Sequence, residues 1–303
     1  MTDPDGAFHV RDENLSIPWF SSIDLQRPFW RDYRTLISGL QIATGNSPDF
    51  PTLSQLQATL PDCAGNRSGQ SVTLVPGERL SATRYEQRIF LNGEISTRKN
   101  NWHDLFNALV WARFPRLKSA MNAVHYQQIG IQQNNRRSRL RDALTLLDEC
   151  GVIVVSDKRP PLLDLAALDW HAAFRQRAAC WLDEIQVFVC GHALLEKFLN
   201  PYKSLTAHAV LVRLGSSSAG RPRESLLRAV DRRMAEMLLG GGQFKSPASL
   251  SPLPLMGIPG WWPGGLQDDA FYADPEVFRR PGKRFRPAPV FNLMAIEAHQ
   301  EMP

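Results

Sequence analysis

The groups of this 303-residue chain best able to move a proton or hold a metal are its seven histidines and 30 acidic side chains, and a few of each stand where helices begin or end. In Asn101-Trp102-His103-Asp104 the spacing makes Asn101 an N-cap and Asp104 its partner at the third helical position, both accepting free backbone N–H groups. Asp104 is therefore read as structural. His103 points about 100° away from Asp104 around the helix and shares a face with Asn107. The positive end of the helix disfavours an imidazolium, so His103 is expected to be neutral, as a base or a metal ligand must be. A satisfied histidine with no chemistry is the competing reading.

The run Arg141 to Glu149 carries more. Leu140, Leu144 and Leu147 make a buried stripe, which leaves Arg141, Thr145 and Asp148 along another line with Asp142 and Glu149 beside it. Asp148 and Glu149 fall in the last turn, where the helix dipole opposes both charges, so a cation has to compensate them. Arg141, seven residues earlier on the same face, is the first candidate for that cation and a metal ion is the second. Further on, Gly191 leads into a helix on which His192 and Glu196, four apart, project from one face. That spacing permits joint metal ligation, and equally a plain hydrogen bond. His125 is a further candidate with no partner that the sequence names.

Taken together, these residues suggest a divalent ion held by Asp148, Glu149, His192 and Glu196, with His103 as acid/base and Arg141 as a bidentate donor to an anionic substrate group. The segment Ser246 to Gly265 is rich in Pro and Gly yet spends Leu253, Leu255, Met256, Ile258, Trp261 and Trp262, which a solvated linker would not. It reads as a packed loop. If the loop is a lid, Trp261 and Trp262 bind substrate; a segment that only covers core is the plainer reading.

The elements that must position these groups follow from periodicity. Residues 1–27 read as an extended N-terminal arm with scattered aromatics (Phe8, Trp19, Phe20). A helix follows from Pro28 to Gly45 and a short one from Thr52 to Leu60. Arg84 to Leu91 and Glu94 to Thr97 flank Asn92-Gly93, the dipeptide suited to a type I′ turn, and predict a hairpin. Helices are expected from Trp102 to Arg113, Pro115 to Gln127, Arg136 to Glu149, Leu162 to Glu184, His192 to Leu199 and Glu224 to Leu239. Short strands are expected at Val152 to Ser156, Val187 to Cys190 and Ala207 to Leu214. This alternation gives an α+β or mixed α/β fold, with helix-rich layers around a small sheet. A single globular domain over 1–303 is expected, with 246–303 a loop-rich extension packed on the body.

With 43% hydrophobic and 21% charged residues, the composition is that of an ordinary globular protein, which excludes collagenous, fibrous-repeat and wholly disordered classes. No stretch approaches the eighteen or so apolar residues of a membrane helix, and the N-terminus has neither a basic n-region nor an apolar h-region, so a cytoplasmic location is expected. The four cysteines (Cys63, Cys150, Cys180, Cys190) form no CxxC pair and read as free thiols. A net charge of +5 is mild, although basic residues bunch in Asn134 to Arg141 and in Arg279 to Arg286. No P-loop, GxGxxG after a strand, GxSxG or HExxH is present.

In RKNNWHDLFNALVWARFP (Arg98 to Pro115), RLRDALTLLDECG (Arg139 to Gly151), GHALLEKFLNP (Gly191 to Pro201) and PLPLMGIPGWWP (Pro252 to Pro263) the chain resembles the bacterial domain of unknown function 3025 family. The resemblance spans roughly Tyr85 to Phe278. It implies a soluble bacterial protein and supplies no activity, cofactor or catalytic residue.

The leading expectation is thus a metal-dependent hydrolase or related enzyme acting on an anionic substrate. The alternative is a non-catalytic nucleic-acid or ribonucleoprotein-binding protein using Arg136, Arg137, Arg139 and the C-terminal basic run on phosphates, with tryptophans stacking on bases. A third reading is a structural or partner-binding protein whose polar constellation is a buried ion-pair network.

Overall fold

The computed structural model describes residues 18–45, 47–77, 80–131, 138–215, 220–242 and 244–293. In chain order the helices and strands are α1 (Arg34–Ala43), α2 (Leu53–Gln57), β1 (Thr73–Pro76), α3 (Ala82–Asn92), β2 (Glu94–Thr97), α4 (Trp102–Arg113), α5 (Pro115–Ile131) and α6 (Arg139–Cys150). They continue with β3 (Gly151–Ser156), α7 (Arg159–Ala167), α8 (Cys180–Asp183), β4 (Ile185–Val189), α9 (His192–Lys197) and β5 (Thr206–Leu214). Last come α10 (Arg223–Leu239), β6 (Ser251–Pro254), α11 (Asp269–Tyr272) and β7 (Val290–Leu293).

The β-branched run Val152–Val155 makes β3 a strand buried along its whole length, as a strand covered on both faces must be. It pairs antiparallel with β4 and parallel with β5. On its other edge β5 takes β6 antiparallel against its first half and β7 parallel against its second, which completes a mixed five-stranded sheet. Helices α6 and α7 both pack on β3 and β5, while α5 lies against α3, α6 and α10. The result is the expected mixed α/β arrangement, helices layered about a small sheet.

Aromatic side chains tie the N-terminal part to this body. Trp19 is buried beside Phe20, Phe50 and Trp102, so the stretch read as an arm holds a 3₁₀ turn (Trp19–Ser22) seated on the core; residues 1–17, Phe8 among them, lie outside the described residues. Phe29 stacks on Phe198 with ring centroids 4.3 Å apart, and Trp30 on Phe106 at 5.6 Å.

Two expectations about elements are corrected. Arg84 to Leu91 is helix, not a hairpin strand: Ser81 Oγ accepts the Arg84 N–H as the N-cap of α3. Gly93 does take the positive φ that the turn reading required (71°), but it uses it as the left-handed cap of α3, its N–H donating to Ile89 O. The chain then leaves in a direction that pairs β2 parallel with β1, a second, two-stranded sheet. The single helix expected from Leu162 to Glu184 is broken as well. Leu168 adopts a left-handed conformation (φ 57°) that ends α7, and a π-helical turn (His171–Gln176) precedes α8.

Candidate functional site

The sheet brings the polar residues together. β3 begins at the residue after α6, and β4 ends just before α9; their antiparallel register sets Val152 opposite Val189. The end of α6 and the start of α9 must therefore meet at one edge of the sheet. Two glycines permit the contact. A Cβ on Gly151 would lie 2.0 Å from Leu147 O, and one on Gly191 would lie 2.3 Å from Gly151 N and 2.6 Å from Glu149 O, all closer than any side chain allows. Gly151 O accepts both the Cys190 N–H (3.1 Å) and the Gly191 N–H (2.9 Å), which locks the junction. From the other side Tyr33 donates its hydroxyl to Val189 O at 2.7 Å.

Helix α4 delivers the third component by packing along α9. Its start is fixed as the sequence suggests: Asn101 Oδ1 accepts the Asp104 N–H at 3.0 Å, and Asp104 itself grips the Arg98 guanidinium with both oxygens at 2.8 Å. Asp104 is thus engaged structurally, and His103 is left to face α9.

At the meeting point His103 Nε2 lies 2.9 Å from His192 Nε2, and Glu149 Oε2 lies 3.7 Å from the same His192 nitrogen. One ligand atom from each of His103, Glu149 and His192 falls within 4.8 Å of the others, the group among the described residues that could hold a metal ion. Each imidazole has a carboxylate behind it. Glu196 Oε2 stands 3.5 Å from His103 Nδ1, and Asp148 Oδ2 stands 3.8 Å from His192 Nδ1. The site opens on one side: the side chains of Glu149 and His103 are 41% and 35% exposed, whereas that of His192 is 5% exposed.

The electrostatics follow from this gradient. Burial, with the nearby Lys118 and His103 charges, drives His192 down to about 3, against the pull of Asp148, so its ring is neutral. Burial also works against a charge on His103, but the Glu196 hydrogen bond and the Glu149 and Glu196 carboxylates outweigh it, and the imidazole is held above its ordinary value. Burial and the neighbouring Asp148 push the Glu149 carboxyl up. Asp148 is the reverse case: burial opposes its charge, but the Lys118 ammonium, by charge and hydrogen bond, holds it below the usual carboxylate range.

Against the sequence reading, His103, Glu149 and His192 come together as one group, with Glu196 3.5 Å and Asp148 3.8 Å from the far nitrogens of His103 and His192. The cation that compensates Asp148 is not Arg141 but Lys118, whose Nζ lies 2.5 Å from Asp148 Oδ1. Arg141 is buried, and its charge acts on Glu86, a wall of the adjoining cavity. Trp261 is buried against Phe29 (5.8 Å) and Phe198 (6.2 Å), and Trp262 packs on Phe271 (6.1 Å). In the basic runs, Arg136 and Arg137 lie outside the described residues, while Arg139, Arg279, Arg280, Lys283, Arg284 and Arg286 are exposed. No helix among the described residues is long and apolar enough to cross a membrane.

Sequence reasoning missed Lys118, yet a signal for it was present. Lys118, Asn122 and His125 recur at i, i+4 and i+7 on α5 among Leu117, Ala120, Met121, Ala123 and Val124, a polar stripe on turns that, Ser119 apart, are otherwise apolar. All three are buried and line a small cavity with Tyr85, Glu86, Trp111 and Asp148. His125 thus belongs to the cavity next to the three-residue group. No curated protein and no solved structure matches the chain. The pattern that does match, over residues 72–282 and so across every residue of the site, is that of the family described as protein of unknown function (DUF3025), and the chain belongs to it.

Proposed function

We propose that the protein is a metal-dependent hydrolase whose divalent ion is held by His103 Nε2, His192 Nε2 and Glu149, with Glu196 and Asp148 orienting the two imidazoles. The observation that carries this reading is the paired backing of the ring nitrogens. The two Nε2 atoms lie 2.9 Å apart, and each Nδ1 has a carboxylate on its side, Glu196 at 3.5 Å from His103 and Asp148 at 3.8 Å from His192, near enough for a small ring rotation to complete the carboxylate–histidine–metal arrangement in which the outer carboxylate fixes tautomer and ring angle. The spacing supports it. Ligand atoms at 2.0–2.1 Å around a tetrahedral ion lie roughly 3.3 Å apart, and the distances of 2.9 and 3.7 Å straddle that edge, so small ring rotations suffice.

Two histidines and one carboxylate would leave room for a water ligand, and the exposed side chains of Glu149 and His103 give solvent access to the site. A water there would be acidified toward about pH 7 and would attack a polarised carbonyl or phosphoryl group. Without metal the same 2.9 Å contact is a hydrogen bond between the two Nε2 atoms, sharing one proton. Ion and proton therefore compete for one place, and the ligand chemistry favours zinc or a neighbouring transition metal over magnesium or calcium.

The test is elemental analysis of untagged protein purified without chelator, followed by Zn²⁺ titration of the metal-free protein and hydrolysis of phosphate-ester, carboxylic-ester and amide probes with and without the metal. One ion per chain, and metal-dependent turnover of one probe class, are expected. Protein that takes up no divalent ion, and whose melting temperature ignores chelator, overturns the reading.

A further inference from the structure

Lys118 is charged on a stretch of helix that buries nearly everything else. Its side chain is 5% exposed; Nζ donates to Asp148 Oδ1 at 2.5 Å and to Asn107 Oδ1 at 2.9 Å, and lies 5.7 Å from the centre of the Trp111 ring. Burying an ion pair removes solvation from two charges, and an apolar pair of the same shape is often as stable or more so, so stability alone gives little reason to keep one here. The geometry gives another. Lys118 clamps one oxygen of Asp148, and the oxygen left over is the one 3.8 Å from His192 Nδ1, a buried nitrogen with no hydrogen-bond partner.

The clamp is itself braced. Asn107 donates its amide to the Tyr85 hydroxyl at 2.7 Å, which fixes the amide orientation and turns Asn107 Oδ1 to the ammonium. Four elements thus meet behind one imidazole: α3 through Tyr85, α4 through Asn107, α5 through Lys118 and α6 through Asp148.

We propose that Lys118 is a positioning residue of the metal centre, holding Asp148 so that its second oxygen is placed to accept from His192 Nδ1 when the ring turns Nε2 to the ion. The proposal rests on the metal reading above. It makes a prediction of unusual sign. A lysine near a divalent cation repels it, so Coulomb's law alone says that Lys118→Met should tighten metal binding. A positioning role says the opposite: losing the clamp frees Asp148, and with it the ring.

The experiment compares wild type, Lys118→Met, Asp148→Asn, the double variant and Asn107→Ala. Zn²⁺ affinity is read by competition with a chromophoric chelator, ligand geometry by the visible spectrum of the Co²⁺ form, and folding by circular dichroism of the metal-free proteins. Lys118→Met and Asp148→Asn are each expected to weaken Zn²⁺ about 10- to 100-fold and to change the Co²⁺ spectrum. The double variant is expected to stay within about twofold of the weaker single one, because both remove the same arm. Lys118→Met binding as tightly as wild type or tighter, with the same Co²⁺ spectrum, overturns the proposal, as does a double variant in which the two losses multiply. If Lys118→Met does not fold, Asn107→Ala decides: a several-fold weakening supports the clamp and unchanged affinity ends it. A wild type that binds no metal fells the metal reading and this inference together, whereas tight wild-type binding with an undisturbed Lys118→Met fells the clamp alone.

Discussion

The place where α4, α6 and α9 meet and the C-terminal stretch made of the Pro/Gly-rich segment (Ser246 to Gly265) and the residues after it to Phe278 both hold residues whose types suggest chemistry, and they are built on opposite terms. At the helix ends, polar groups face one another at 2.9–3.8 Å, with two adjacent carboxylates at the negative end of a helix. In the C-terminal segment the groups are rings facing rings: Trp261 on Phe29 and Phe198, Trp262 on Phe271, and Phe271, Tyr272 and Phe278 on one another. The first arrangement costs stability until something positive enters it; the second is a source of stability. A tryptophan on a long loop and a histidine at a helix start look equally suggestive in sequence, and what each one touches separates them.

The contrast breaks most visibly at Trp261. Removing a buried indole from a close-packed cluster is expected to cost about 3 to 5 kcal/mol, so Trp261→Ala should lower the melting temperature sharply and leave the Zn²⁺ affinity of the folded fraction as in wild type. A lid makes the reverse prediction. Lost ligand binding at an unchanged melting temperature would move Trp261 from the core to the site and erase the difference between the two regions.

His192→Ala is the complementary change and ranks next. Losing one of three ligands is expected to weaken Zn²⁺ at least 100-fold, about 2.7 kcal/mol, and to abolish the rise in melting temperature that saturating metal gives the wild type. A His192→Ala variant still stabilised by Zn²⁺ as strongly as wild type would show the ion bound elsewhere.

Most of the frame that carries this site was legible from periodicity, because its signals are local. Asn101 caps α4 as its side chain requires, the Leu140, Leu144 and Leu147 stripe is buried or packed on the core, and the β-branched run after Gly151 is a strand. The hairpin reading failed because positive φ at Gly93 serves a turn and a helix cap equally well; only the Ser81 cap and the parallel partner β1, both outside the dipeptide, decide between them. Within the site, the sequence could group His103, Glu149 and His192 with Asp148 and Glu196, but not tell which of their atoms converge. The approach of Glu149 to His192 depends on the antiparallel pairing of β3 with β4, segments about thirty residues apart, and that of His103 on the packing of α4 along α9. Naming Arg141 and missing Lys118 has the same origin: neighbours along one helix can be counted from sequence, and a lysine arriving from another helix cannot.

A smaller effect tests how far the polar region reaches. Glu86, on the cavity wall beside Asp148, is raised to about 7, chiefly by burial, with Asp148 adding to it against the Asn122 hydrogen bond. A carboxyl whose folded value lies above its unfolded one favours the fold while protonated. Its contribution is whole below about pH 4.5 and is lost as pH rises through about 7. Glu86 is partly exposed, so solvent reduces the effect to about 1 kcal/mol. Unfolding free energies measured from pH 4.5 to 8 should therefore decline more in wild type than in Glu86→Gln. Parallel curves would remove Glu86 from the network.

The smallest effect is the most diagnostic, since it changes sign with the metal. Glu149 sits in the last turn of α6, beside Asp148, with its side chain 41% exposed. In the metal-free protein the helix dipole and its neighbour both oppose its charge, and exposure keeps the penalty small. Glu149→Gln is expected to stabilise that form by about 0.3 to 1 kcal/mol. With Zn²⁺ present the order inverts, because the variant loses a ligand and wild type gains the binding energy. Asp148→Asn, one residue away, should do the opposite in the metal-free form and destabilise it, since Lys118 would be left buried without its counter-charge. Chemical denaturation of the two variants and wild type, each with Zn²⁺ and with chelator, resolves this. If Glu149→Gln and Asp148→Asn shift metal-free stability in the same direction, the two carboxylates share one environment and the division between ligand and positioning residue fails at its closest pair.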